Sequence, residues 1–350
     1  MNILIIGGAG YIGSQTSKAL KNKGYFPIVL DNLTHGNKEI IEDILKIPLI
    51  IGQVGDKELL KKLLLGDHPK LRGKCIDAII HFAAYSHIRE SVEDPSKYYR
   101  NNLGDTLSML EVLVDQIKLR EEKNIFPFKI PIVFSSTCAT YGAPKLNNIP
   151  IAENVPQNPI NPYGRSKLMI ERILKDFHNA YKIPSISLRY FNAAGADPDC
   201  EMGEKHNPET HLIPLILNAL GDEKKSIKVF GIDYPTKDGT CVRDYIHVYD
   251  LAEAHIIALE KIVNKNICDF YNLGTGKGYS VLDVIKTCKK VTGLKLNVEF
   301  VARRFGDPPI LIASPKKIIK ELNWSPVYSD LDTIIKHAWS WQLKANSEKL

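Results

Sequence analysis

Ile3-Leu4-Ile5-Ile6-Gly7-Gly8-Ala9-Gly10-Tyr11-Ile12-Gly13 is the stretch that decides the fold. The four apolar residues at its head read as a strand covered on both faces. Glycines follow at once, and an amphipathic segment over residues 12–23 runs up to Gly24, where a helix would end on a left-handed residue. Further along, short apolar runs at 27–30, 48–51, 78–82, 132–135 and 185–190 alternate with helical stretches, among them 95–118 and 163–181. That alternation predicts an α/β protein on a doubly wound, Rossmann-type parallel sheet with helices on both faces.

The texture changes after Asn192. Residues 192–212 hold Gly195, Pro198, Gly203 and Pro208 without periodicity, and long irregular segments in compact enzymes often face a substrate. A boundary is expected near 191: a dinucleotide-binding domain over 1–191 and a smaller mixed α/β substrate lobe over 192–350, with some later segments returning to the first. Within that lobe the sequence predicts a strand at 227–230. It also predicts a helix opened by Asp250 with Glu253 completing a capping box, and another opened by Ser280 and closed by Gly293.

Composition narrows the function classes. Of 350 residues, 44% are hydrophobic and 25% charged, which is ordinary globular usage and excludes wholesale disorder or a fibrous protein. The 46 Lys and Arg against 40 Asp and Glu leave a net charge of +6, but the signs are interspersed. No block of like charge is long enough to grip nucleic acid, so no nucleic-acid partner is expected. Six scattered cysteines without a C-x-x-C pair read as reduced thiols of a cytoplasmic protein, and no metal is expected. The apolar start is too short for a signal segment or a membrane span, so no membrane partner is expected either.

Gly7, Gly10 and Gly13 permit a tight turn, close backbone approach to a pyrophosphate and close helix–sheet packing, with the helix N-terminus aimed at the phosphates. Asp31 ends the second predicted strand, eighteen residues beyond Gly13, where a carboxylate accepts hydrogen bonds from an adenosine ribose. No Arg or Lys lies between it and Lys38, so a 2′-phosphate would meet repulsion. The cofactor expected is NAD, not NADP. The competing reading of Asp31 is a turn cap with Asn32.

Tyr163 and Lys167 stand four residues apart on one predicted helix, placing phenol and ammonium on the same face. A neighbouring cation favours phenolate over phenol. Alone, Tyr-x-x-x-Lys is a common accident. Ser135-Ser136-Thr137 at the end of the fifth predicted strand changes its weight, because ligands of open parallel sheets bind off the strands' carboxyl ends. Hydroxyl, phenol and ammonium beside a nicotinamide make a proton-and-hydride site.

The chain resembles the extended short-chain dehydrogenase/reductase family, and within it the UDP-hexose 4-epimerases. The resemblance rests on GGAGYIG (7–13), DNLTHG (31–36), HFAA (81–84), ESVEDPSKYYRNN (90–102), VFSSTCATYG (133–142), NPYGRSK (161–167), LRYFNAAGA (188–196), HLIP (211–214), DYPTKDGTCVRDYIHV (233–248), YNLGTGKGYSV (271–281) and RRFGDPP (303–309). It implies inversion at sugar C4 between UDP-glucose and UDP-galactose through a 4-keto intermediate. Tyr163 would be the acid/base, Lys167 its electrostatic partner and ribose anchor, and Thr137 the hydroxyl on the sugar oxygen. The same likeness implies that Gly7, Gly10, Tyr11, Ile12, Gly13, Asp31, Asn32, Gln53, Val54, Phe82, Ala83, Ala84, Asn101, Lys167 and Tyr190 surround the cofactor. For the UDP-sugar it implies Thr137, Tyr163, Asn192, His211, Leu212, Lys228, Phe230, Arg243, Arg304, Asp307 and Leu311. Arg243 and Arg304 would clamp the pyrophosphate, Asp307 the uridine ribose and Phe230 the uracil, while Leu311 would gate the sugar pocket. A homodimer built from 95–118 and 163–181 is implied as well.

This chain departs from the family in having Gln53 where relatives commonly have Asp, Ser86 where some have Lys, and Thr137 in place of the commoner Ser. Three rivals remain: a 4-epimerase of UDP-N-acetylhexosamines or UDP-pentoses, a nucleotide-sugar 4,6-dehydratase, and a non-catalytic NAD-binding regulator. The dehydratase chemistry wants Asp-Glu after the active-site Thr, where Cys138 and Ala139 stand here.

Overall fold

The computed structural model describes residues 1–206, 208–263, 265–304 and 306–348. Phe305, inside the RRFGDPP segment, lies outside the described residues. The chain divides into two compact units. The first takes residues 1–142, 157–189 and 252–271; the second takes 143–156, 190–251 and 272–350. One change of unit falls between residues 189 and 190, the stretch 252–271 goes back to the first unit, and the earlier stretch 143–156 belongs to the second.

Fourteen strands are described. They are β1 (Asn2–Ile6), β2 (Phe26–Asp31), β3 (Leu49–Ile51), β4 (Ala78–His81), β5 (Ile132–Thr137), β6 (Ser185–Tyr190), β7 (Asn192–Ala194), β8 (Ser226–Phe230), β9 (Val242–Arg243), β10 (Tyr245–His247), β11 (Cys268–Leu273), β12 (Tyr279–Ser280), β13 (Asn297–Val301) and β14 (Ile310–Leu311). The main sheet runs β11-β6-β5-β4-β1-β2-β3. Its pairs β1–β2, β2–β3, β1–β4 and β4–β5 are parallel. Strand order reverses between β1 and β4, the position where doubly wound sheets open a crevice for ligands. Ile3, Leu4 and Ile5 are wholly buried, as an apolar run covered on both faces must be. One core of the first unit gathers Leu4, Ile28, Leu60, Ile79, Leu110 and Phe134.

The helices of the first stretch are α1 (Tyr11–Asn22), α2 (Lys57–Leu64), α3 (Ile88–Glu93), α4 (Pro95–Tyr98), α5 (Asp105–Glu122) and α6 (Pro162–Tyr181). α1 ends two residues before Gly24, which takes φ +81° as the left-handed terminator. The expected single helix over 95–118 is interrupted. A π-helical segment, Tyr99–Gly104, separates α4 from α5. Within it the Asn102 amide brackets the Tyr85 backbone, accepting from its N–H (2.9 Å) and donating to its carbonyl (3.0 Å). Such π segments gather at functional sites.

The second unit holds shorter pieces: parallel β7–β10, parallel β8–β13, and β12-β9-β14. Its core joins Ile213, Ile216, Val229, Val284, Ile334 and Ile335. Helices α7 (Leu212–Ala219), α8 (Val248–Val263), α9 (Val281–Thr292), α10 (Lys316–Leu322) and α11 (Leu331–Glu348) complete the described set. Ser280 and Asp283 form a reciprocal capping box on α9, and Gly293 closes it at φ +71°. The expectation at Asp250 needs correction. α8 already begins at Val248, and the Asp250 carboxylate instead accepts from the Val327 and Tyr328 N–H groups and the Ser329 hydroxyl. A buried carboxylate that collects three donors anchors a distant loop more firmly than it could cap its own helix.

Candidate active site

The glycine turn after β1 is built for close approach. Gly7 has φ +79°, and a Cβ there would sit 2.5 Å from the Ala83 nitrogen, so only glycine lets the turn lie against the end of β4. α1 starts at Gly10 without a side-chain cap, which leaves its first N–H groups for an anion. A Cβ at Gly10 would meet only the Gly7 carbonyl, at 3.5 Å, so that face is open. Tyr11 and Ile12 lie half-buried at the helix entry, and Phe82 and Ala83 both donate backbone N–H groups to Ile6. These features fit the pyrophosphate of NAD.

Asp31 closes β2 nearly buried. Its two carboxylate oxygens accept from the Ala9 and Leu33 N–H groups, each at 2.9 Å, and each oxygen keeps a second acceptor position. Burial pushes its carboxyl upward while these hydrogen bonds pull it back. Asn32 is exposed and its side chain accepts from Thr34 N–H, so the turn-capping role considered for this dipeptide belongs to both residues. Gln53 is exposed and Val54 buried at the turn after β3; Ala84 and Asn101 are half-buried, and Asn101 donates to Asn102 (2.9 Å).

Thr137 is the last residue of β5, and its hydroxyl oxygen accepts from Ala139 N–H (3.2 Å), which starts a short turn. α6 begins beside that turn. Asn161 caps it by accepting from Gly164 N–H (2.8 Å), Pro162 occupies the first position, and Tyr163 the second. A Cβ on Gly164 would lie 2.6 Å from the Ala139 carbonyl oxygen, so this glycine brings the Tyr163 end of the helix against the Thr137 turn. Tyr163 is nearly buried at the helix's positive end, where a phenolate is stabilised. One turn on, Lys167 is buried, donates to the Ser135 carbonyl (2.7 Å) and lies 4.7 Å from the Phe134 ring centre. Burial pushes its amine down to about 7, with the Glu171 carboxylate opposing the shift.

Four residues beyond Lys167 begins a network that motif reading passed over. Glu171 accepts from Ser136 hydroxyl (2.5 Å) and holds Arg189 bidentately, at 2.6–3.1 Å. Arg189 donates also to the Tyr141 hydroxyl (2.8 Å). One buried ion pair thus joins β5, β6 and α6 directly behind Thr137 and Lys167. The signal in the sequence was the i+4 spacing of a carboxylate after Lys167, which has no solvated role on a buried helix face. His81 is a second such residue. Its Nε2 lies 2.9 Å from the Thr106 hydroxyl, which itself donates to Asn102, so the ring donates there and its Nδ1 is the bare acceptor. Burial and Lys167 push this imidazole down to about 3, keeping it neutral.

In the second unit, Arg304 lays its guanidinium 3.8 Å from the Phe230 ring centre, so two residues predicted for the nucleotide are in contact. Arg243 lies opposite both Tyr279 and Leu311 across β12-β9-β14 and donates to the Val242 carbonyl (2.9 Å). Asn192 opens β7 and pairs with Tyr245; Tyr190 ends β6 half-buried. Lys228 is exposed on β8, Asp307 half-buried, Leu311 almost wholly buried. His211 stands at the start of α7 with Leu212 after it, and its imidazole touches the Glu204 carboxylate. Glu204, His206 and Glu209 gather around it, a grouping that sequence spacing did not reveal. Among the described residues no helix is long and apolar enough to cross a membrane.

Residues 3–274 match the model of the NAD dependent epimerase/dehydratase family. The chain is 43% identical over 341 residues to UDP-glucose 4-epimerase of Lacticaseibacillus casei, covering 97% of this chain and 96% of that one. The crystal structure of UDP-glucose 4-epimerase from Brucella ovis in complex with NAD is similar with TM-score 0.85 and 44% identity, covering 97% of each chain. That of the Bifidobacterium longum UDP-glucose 4-epimerase in complex with NAD+ and UDP gives TM-score 0.86 and 37% identity over 99% of both chains.

Proposed function

The chain belongs to the NAD-dependent epimerase/dehydratase family, and from that premise we propose that it interconverts UDP-glucose and UDP-galactose by inverting sugar C4. The observation that carries the reading is the join of α6 to the end of β5. It sets Tyr163 at a helix N-terminus, Lys167 one turn on beneath it, and Thr137 in the turn that Gly164 touches.

In this reading Tyr163, as phenolate, takes the proton of the sugar 4-hydroxyl. The phenolate favours the charged form of Lys167, since an adjacent anion offsets the burial that pushes the amine down. Thr137 holds the 4-oxygen by hydrogen bond. NAD, which the Gly7–Gly13 turn and Asp31 would hold, would supply hydride acceptance from C4 and its return to the opposite face. Between the two transfers the sugar is a 4-keto intermediate, and Tyr163 returns its proton at the end. No net oxidation occurs.

We assign the first unit to NAD, with Asn32, Gln53, Val54, Phe82, Ala83, Ala84, Asn101 and Tyr190, the last residue of β6, as further contacts. The second unit is assigned to UDP. Arg243 and Arg304 supply the cationic donors that a diphosphate needs, Phe230 the uracil platform, Asp307 the ribose acceptor, and Asn192, His211, the Leu212 backbone N–H and Lys228 the remaining polar contacts. A cytoplasmic homodimer paired through α4–α6 is the proposed working form; the six free cysteines support a reducing compartment. Purified protein given UDP-galactose without added nucleotide should form UDP-glucose in an NMR time course, and acid extraction should release NAD. No conversion, or release of NADP, would refute the reading.

A further inference from the structure

We propose that Glu204, His206, Glu209 and His211 form a binding site for one divalent transition-metal ion of the zinc class, outside the dinucleotide-binding and catalytic residues. Each offers one donor atom, and the four donors lie within 4.8 Å of one another. His206 Nδ1 is 3.3 Å from a Glu204 oxygen and 3.7 Å from a Glu209 oxygen; His211 Nδ1 is 3.8 Å from Glu209 and in direct contact with Glu204. Tetrahedral zinc with bonds of ~2.0–2.1 Å needs donors ~3.3–3.4 Å apart. Small side-chain adjustments therefore bring all four to an ion at their centre.

The donor set selects the metal. Two imidazoles and two carboxylates suit zinc or cobalt, whereas magnesium and calcium take oxygen donors only. Support from behind is present on one ligand: Glu209 accepts from the Thr210 (2.7 Å) and His211 (2.8 Å) N–H groups, which orients its carboxylate. Glu204 is almost shielded from water, so its charge needs a close cation. Glu204, His206 and Glu209 also line a cavity of ≈160 Å³ together with Gly195, Trp341 and Gln342, which leaves room for the ion's entry. Metal on His211 Nδ1 leaves Nε2 and the Leu212 N–H for the substrate role assigned above. The ion would clip the irregular segment before α7 to the helix start. Ion pairing between protonated imidazoles and carboxylates is the alternative account of the same cluster.

Titration of the untagged, metal-stripped protein with cobalt(II) separates the two, and it reads no turnover, so its outcome is independent of the epimerase reading. The expected result is saturation at one equivalent with the intense visible absorption of tetrahedral cobalt, displaced by zinc. His206→Ala and Glu209→Gln, checked for folding by circular dichroism, should each weaken binding by at least about tenfold. Zinc should raise the Tm of the parent protein and not of the variants. Absence of saturable binding, or equal affinity in parent and both variants, would overturn the proposal.

Discussion

The Lys167 side-chain nitrogen lies 2.7 Å from the Ser135 carbonyl oxygen, tying the second turn of α6 to the strand that ends in Thr137. The bond satisfies the buried amine at one donor only, and burial holds it near 7, against 10.5 for the free side chain. Between those values the unfolded chain carries more protons than the folded one, so this residue makes stability rise with pH. Its cost is full below pH 7 and fades towards 10.5. In NAD-free protein, Lys167→Met should therefore gain stability relative to the parent at pH 6.5, and the gain should shrink by pH 10. Urea unfolding of both proteins at the two pH values measures it; an unchanged difference would contradict the assignment.

Tyr163→Phe removes the phenol and little else, because the ring's packing at the start of α6 is retained. General acid–base groups contribute ~10²–10⁴-fold. Turnover of UDP-galactose should fall by at least the lower figure while bound NAD and UDP affinity stay close to those of the parent. Near-normal turnover would remove Tyr163 from the chemistry.

Gly164→Ala tests the joint between helix and turn. The added methyl would stand 2.6 Å from the Ala139 carbonyl oxygen, and neither backbone can yield cheaply. The helix start must shift, and displacements of about 1 Å at reacting groups cost on the order of 10²-fold. Steady-state kinetics should show a fall in kcat out of proportion to the change in Tm. Full activity would mean that Tyr163 tolerates the displacement.

The sheet was legible because β1, β2, β4 and β5 carry continuous apolar runs, to which burial on both faces leaves little freedom, and because β6 alternates Ile186, Leu188 and Tyr190 with polar residues. The short strands β7, β9, β12 and β14 were not, since two or three residues carry no period. The π-helical interruption at Tyr99–Gly104 was hidden for a different reason: it holds Asn102, whose amide reaches back to Tyr85, a contact across seventeen residues that no local pattern encodes. Tyr163 and Lys167 could be found by spacing. Glu171 and Arg189 could not be paired without the fold that brings α6 over β6, and Asp250 was misread because its donors come from residues 327–329.

That Glu171–Arg189 pair should matter to stability as well as to the site. Both side chains are almost wholly excluded from water. Glu171→Gln leaves Arg189 buried without its counter-charge, and breaking a buried pair in this way costs about 3–5 kcal/mol. Glu171→Gln with Arg189→Met should recover part of the loss. Denaturant midpoints decide it: a single variant within 1 kcal/mol of the parent, taking ~1 kcal/mol as the scale of ordinary substitutions, would rule the pair out as an anchor.

Substrate breadth turns on Leu311. It is the last residue of β14, almost wholly buried, and stands in register with Arg243, the residue assigned to the diphosphate. A side chain beside the diphosphate clamp is placed to feel what the sugar carries at C2. Leucine is branched but not planar and fills less depth than tyrosine, so the acetamido group of an N-acetylhexosamine is admitted with difficulty and not refused. UDP-glucose and UDP-galactose are thus the expected main pair, with slower turnover of the N-acetylated pair. Leu311→Tyr should lower turnover of UDP-N-acetylgalactosamine much more than that of UDP-galactose, and Leu311→Ser should shift the ratio the other way. One methylene's worth of pocket space changes selectivity by roughly 10–200-fold, which a competition assay with both substrates resolves. If Leu311 only fills the core, both variants lose activity on the two substrates in equal proportion, following their loss of Tm, and the gate is not at this residue.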